Sequence, residues 1–235
     1  MHIRVGTSGY SYKEWKGTFY PDDLPAAKML PYYGERFDSV EINNSFYRMP
    51  DAKMVAKWGE QVPDGFTFVL KAPQRITHQA RLRDCADVVQ YFLQVSATLG
   101  PKLGALLFQL PPYLRKDLAL FDAFLQTLPP GTCAAFEFRH ASWLDPQVYA
   151  RLRAHSLALC VADGEKLSIP VEITADYAYF RLRDAGYTSE GLARWAQIIR
   201  DSTAGCREVF VYFKHEEAGK GPEFARQLLD ALGVS

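Results

Sequence analysis

The sequence predicts a single (β/α)8 barrel of eight parallel strands, and three observations predict it. Short apolar runs alternate with helix-period stretches along all 235 residues, a pattern that calls for parallel strands joined by right-handed crossovers. Eight such runs in a chain of this length match the usual size of the barrel. No shift in composition marks a linker, so residues 1–235 read as one TIM-barrel domain. An open doubly wound sheet is the rival, but it calls for GxGxxG at the first strand-to-helix turn; here Gly6-Thr7-Ser8-Gly9 runs into Tyr10, Tyr12 and Trp15.

Taken in order, the strands are read at 3–6, 39–43, 66–72, 103–110, 133–138, 157–162, 177–182 and 208–213, each a short, mostly apolar run. Helical periodicity falls at 26–36, 51–61, 86–99, 117–127, 146–154, 189–202 and 221–232, with Asp117, Asp145 and Ser189 as N-cap candidates. The sixth connection, 163–176, reads as loop, which leaves the barrel with its sixth helix shortened.

Composition bounds the function. Lys plus Arg and Asp plus Glu each number 27, so no global charge draws the chain to nucleic acid or anionic membrane, and any polyanion site must be local. No apolar run is long enough to span a bilayer, and MHIRVGTSG has no leader pattern; the expected location is cytoplasmic, with no membrane partner. Cys85, Cys133, Cys160 and Cys206 are far apart and read as reduced and structural.

In a barrel enzyme the chemistry sits where the strands end. Those ends supply Ser8, Glu41 and Asn43, Lys71, Gln109, Glu137 and Arg139, Asp163, Arg181, then Lys214 and His215. Alternation places Glu41 with Asn43, and Glu137 with Arg139, on the lumen side. Buried carboxylates need partners, and Lys71, Arg139 and Arg181 are the candidates. Glu41 beside Lys71, and Glu137 beside Asp163, are the expected neighbours; the second pair would raise one carboxyl's pKa and make a general acid. Lys71 reads as a counter-ion or, desolvated, as a reactive amine. The histidines show no metal-ligand spacing, and neither a metal nor a cofactor is expected. Trp15, Phe19, Phe46 and Trp143 read as loop packing, whereas Tyr10 and Tyr47 are candidates for ligand contact.

The segments GTSGYSYKEWKGTFYP, FDSVEINNSFYRMP, FVLKAPQRITH, LGALLFQLPP and FEFRHASW resemble the motifs of the domain-of-unknown-function family 72. That resemblance implies a single-domain TIM barrel with no assigned activity, and a pocket formed by Ser8, Gly9, Glu41, Asn43, Lys71, Gln109, Glu137, Arg139 and Trp143. The last third departs from it: Arg181-Leu182-Arg183-Asp184 stands where Arg-x-His-Gly is expected, and Lys214-His215-Glu216 where Asn-Asn-Asp is.

Three functions fit. The first is an enzyme of acid/base or hydrolytic chemistry on a small phosphate- or carboxylate-bearing anion, with Glu41, Lys71, Glu137 and Asp163 catalytic and Ser8, Tyr10, Asn43, Tyr47, Gln109, Arg139, Arg181, Lys214 and His215 binding substrate. The second is nucleic-acid binding or phosphodiester processing through Lys214, Arg181, Arg183 and the loop tyrosines. The third is a ligand-binding protein without catalysis. Oligomeric state is not legible.

Overall fold

The computed structural model describes residues 1–164, 167, 169–184 and 186–234. Eight strands, β1 (His2–Ser8), β2 (Ser39–Ile42), β3 (Thr67–Lys71), β4 (Leu103–Gln109), β5 (Ala134–Glu137), β6 (Ala158–Ala162), β7 (Tyr177–Leu182) and β8 (Glu208–Phe213), pair in sequence order into a closed barrel. Every pairing is parallel, and β1 closes the ring on β8 from His2↔Glu208 to Thr7↔Phe213. The strands are apolar on both faces because side chains fill the lumen and helices cover the outside.

The helices are α1 (Met29–Gly34), α2 (Asn44–Tyr47), α3 (Ala52–Gly59), α4 (Ala86–Ala97), α5 (Leu118–Leu125), α6 (Pro146–Ala154), α7 (Ser189–Ser202) and α8 (Lys220–Leu232). Asp117 and Asp145 cap α5 and α6, accepting from Leu120 N and Gln147 N. Ser189 is not a cap: Thr188 precedes it in extended conformation, and its side chain accepts from Gly191 N, so Ser189 is the first helical residue. The one-turn α2 has no sequence signal, since four residues are too few to show a period. No helix occurs among the described residues of 163–176.

Between the barrel and its helices, Phe108, Phe121, Phe124, Phe136, Phe138 and Trp143 form a continuous aromatic layer, with Phe138 and Trp143 stacked at 4.9 Å. Trp15 and Trp143 are fully buried, as their packing role requires. Gly6 lets β1 approach β2, because a Cβ there would stand 2.1 Å from the Ser39 carbonyl oxygen. Among the described residues no helix is long and apolar enough to cross a membrane.

Candidate active site

Strand register decides which polar side chains meet at the open C-terminal end. Ser8 lies opposite Glu41, and Gln109 opposite Glu137. Across the lumen Arg181 of β7 joins the two carboxylates: Nη2 and Nε donate to Glu41 at 2.9 and 3.1 Å, and Nη1 to Glu137 Oε2 at 3.1 Å. All three are buried. Ser8 Oγ and Tyr179 Oη also donate to Glu41, and Gln109 Nε2 donates to Glu137 at 2.7 Å. Asn43 Nδ2 donates to Ser8, its Oδ1 accepting from Arg181.

Burial alone would raise both carboxyl pKa values, but the Arg181 charge and its hydrogen bonds hold Glu41 below its ordinary value. Glu137 likewise resists burial: Arg181, Arg183 and Lys71 bring it down to about 2. Both side chains are therefore ionised at neutral pH, and the general acid expected on Glu137 is absent. The reason lies in the register. Phe136 pairs with Leu159, which sets Asp163 well beyond Glu137 along the neighbouring strand. Asp163 instead accepts from Arg183 N and Tyr187 Oη.

Glu41 does not pair with Lys71 either. Glu41 faces Val69, so Lys71 stands two residues, about 6.6 Å, farther out. Its Nζ makes no hydrogen bond or ion pair among the described residues and lies 4.0 Å above the Phe46 ring. Burial, followed by the Arg181 charge, lowers the Lys71 pKa to about 7 despite the opposing Glu137 and Glu41. The amine thus acts on Glu137 through space, without a direct ion pair among the described residues.

A model of the family described as "Protein of unknown function DUF72" matches residues 4–235. The chain belongs to the DUF72 family. It is 37% identical over 150 residues to the UPF0759 protein YecE of Escherichia coli K12, a match covering 63% of this chain and 51% of YecE, so it spans about half the length of that relative. Against the UPF0759 protein YunF of Bacillus subtilis identity is 25% over 271 residues, covering 99% of this chain and 95% of that protein. Among solved structures, the DUF72 protein TM1631 of Thermotoga maritima superposes with a TM-score of 0.84 at 25% identity, covering 99% of this chain and all of that one. The DUF72 protein EF0366 of Enterococcus faecalis gives 0.84 at 21% and supports the fold alone.

The remaining predicted residues of this DUF72 barrel separate into three places. Arg139, two residues above Glu137, is exposed and lines a cavity of about 380 Å³ with Phe138 and Arg183. Lys214 pairs with Glu216 at 3.4 Å, and His215 is buried, Nε2 donating to the Asp184 carbonyl at 2.7 Å. Tyr10 is half-buried in core packing, with its carbonyl accepting from Tyr20 Oη, while Tyr47 is exposed on the outer rim. Arg181, expected to clamp a substrate anion, is buried on Glu41 and Glu137 and cannot do so.

One contributor, Tyr179, was not foreseen, and another, Arg183, was foreseen in a different role. Tyr179 shares the inward parity of Arg181 within YAYFRL, and that parity was the signal for it. Arg183, named as a nucleic-acid contact, carried no signal for its pairing with Glu137, because it lies past the end of its strand and turns back to within 3.4 Å of Glu137 Oε1. Among the described residues no group of three or more His, Cys, Asp or Glu side chains is placed to hold a metal ion.

Replacing Glu137 with Gln should cost on the order of 3 kcal/mol at pH 7, because a carboxyl held near 2 contributes about that much over its unfolded value. The folded pKa is depressed, so this stability is present above about 4.5 and is lost as pH falls toward about 2. Urea melts at pH 7 and pH 3 check it: the deficit of the variant should narrow at the lower pH, and a constant deficit rules out the charge as its cause.

Proposed function

We propose that this barrel is an enzyme of acid/base or hydrolytic chemistry acting on a small phosphate- or carboxylate-bearing anion at the strand C-termini, with Lys71 as the group that gives or takes the proton. The observation that carries the reading is the Lys71 amine, buried beside a cationic guanidinium and brought to about 7, where both protonation states are populated at neutral pH. Glu41 and Glu137 keep their charges and form, with Arg181, a rigid floor that steadies the protonated amine. Ser8, Asn43 and Gln109 lock that floor.

Arg139 and Arg183 line one cavity and are the anion's ligands. Asp163 is a positioning residue, fixing the Arg183 backbone amide at 2.5 Å. Lys214 and His215 form the rim, with the Lys214 charge further lowering the pKa of Lys71.

Two measurements test the reading together. Carbon-13 reductive methylation followed by NMR should find Lys71 titrating near 7, with phosphate or a small dicarboxylate raising that midpoint, since a bound anion favours the ammonium. Calorimetric titration should show binding weakened at least tenfold in Arg139→Ala, Arg183→Ala. A Lys71 midpoint above 9, or anion binding indifferent to the two arginines, overturns it.

A further inference from the structure

The exposed aromatic side chains of this protein are not scattered. Of its tyrosines, only Tyr47, Tyr91 and Tyr113 are exposed among the described residues, at 74%, 47% and 59%. They come from the connections that follow three successive strands, β2, β3 and β4: α2, α4 and the turn after β4. Tyr47 and Tyr91 line one cavity of about 540 Å³, together with Phe46, Gln74, Arg75 and Gln79. Tyr113 joins that surface through the loop between β3 and α4: its hydroxyl donates to the His78 carbonyl at 3.3 Å, and His78 packs edge-on against Phe46 at 4.9 Å.

The same surface carries arginines without counter-ions. Arg48, Arg75, Arg81 and Arg115 are exposed and make no ion pair among the described residues; only Arg83 is engaged, with Asp117 at 3.4 Å. Asp84 and Asp87 are the exposed carboxylates on the same loop and helix start. Arg81 stands over the Tyr113 ring, 5.5 Å from its centroid.

The loop that carries Arg75 and Arg81 is held in a costly shape. Arg75–Gln79 form a π-helical turn, a rare geometry found at functional sites. Arg81, Leu82 and Asp84 then adopt φ of 52°, 68° and 44°, the left-handed region that non-glycine residues avoid. Leu82 is buried, and Leu82 N and Arg83 N donate to the carbonyls of Ile76 and Ala80, which fixes the loop. The Arg75 and Arg81 guanidinium groups are thereby presented on an ordered backbone beside the rings, which lowers the entropy lost on binding.

We propose that this face, from Tyr47 and Tyr91 to Tyr113, binds single-stranded nucleic acid, with bases stacking on the tyrosines and the Arg75, Arg81 and Arg48 guanidinium groups tracking the phosphates. Stacking platforms interleaved with unpaired cations are what a flexible polyanion bearing planar bases requires, and a duplex hides those base faces. The chain's balanced net charge does not oppose this, because the excess is local. The place differs from the rim around Lys214, Arg181 and Arg183, where Arg181 is buried and Lys214 is paired. The inference is independent of any role for Lys71.

Fluorescence anisotropy with a labelled twelve-nucleotide dT or rU strand tests it. Tyr47→Ala and Tyr113→Ala should each weaken binding about fivefold or more. Arg75→Ala with Arg81→Ala should reduce the slope of log affinity against log salt by about 1.4. Arg194→Ala with Arg226→Ala removes the same charge from exposed positions on α7 and α8 and should leave both affinity and slope unchanged. The proposal is overturned if the strand does not bind in low salt, or if the tyrosine variants bind like the parent. It is equally overturned if the α7/α8 pair matters as much as the loop pair, or if a duplex, a mononucleotide or a poly-glutamate peptide of equal charge binds as tightly as the strand.

Discussion

Arg181→Met is expected to lower the melting temperature by roughly 6–20 °C, the consequence of leaving two buried carboxylates without their shared cation at a cost of about 3–5 kcal/mol in a chain of this size. Arg181 is fully enclosed and donates to both Glu41 and Glu137, so no solvent can take its place. Arg181→Lys is expected to fall most of the way with it, since one ammonium cannot reach both partners in the guanidinium's fork geometry. The triple change Glu41→Gln, Glu137→Gln, Arg181→Met removes every charge and should recover much of the loss. Scanning calorimetry on the three variants decides the matter, and a single Arg181→Met variant that melts like the parent would show that the network contributes nothing to stability.

Lys71→Met should do the opposite and stabilise the protein. In the unfolded chain Lys71 titrates at its ordinary value near 10.5, but in the native state at about 7. Between those values the unfolded chain holds a proton that the native protein does not, so wild-type stability falls as pH drops from about 10.5, and the penalty is complete below about 7. Met keeps the length and packs on Phe46 without that penalty. The expected gain is on the order of 4 kcal/mol at pH 7, shrinking to nothing near pH 10.5. Urea unfolding of both proteins at pH 6, 8 and 10 measures the difference directly, and a gain independent of pH would sink the explanation. A residue that costs stability where an apolar one would serve better is retained for its chemistry.

The barrel was legible because each strand is a self-contained apolar run that both-face burial leaves no room to disguise: LGALLFQL and EVFVYF cannot sit at a surface. The inward parity of Glu41 and Glu137 was legible for the same reason. Partner choice was not. It depends on how far each strand is shifted against the next, and that stagger moves Asp163 away from Glu137 and lifts Lys71 above Glu41 while leaving every strand's own pattern untouched. Arg181 was read both as a partner of the buried carboxylates and as a substrate clamp; a strand-end position gives no measure of depth, and its reach across the lumen to Glu41 and Glu137 leaves it the first role alone. The tyrosine and arginine face was invisible as a unit, its members being spread from Tyr47 to Arg115.

The seating of Glu41 between β1 and β7 also bears on how the molecule comes together. Its nearest cation in the finished structure arrives 140 residues later in the chain. An N-terminal half ending after β4 would hold that carboxylate with the Ser8 hydroxyl and, farther out, the Lys71 amine, but with no direct ion pair, whereas the C-terminal half already holds Glu137 with Arg181 and Arg183. The first half is thus electrically incomplete until the second has formed, and sealing β1 against β8 is the same event as neutralising its charge. Such an arrangement ties the two halves into one cooperative folding unit and disfavours a half-formed barrel as a lasting species.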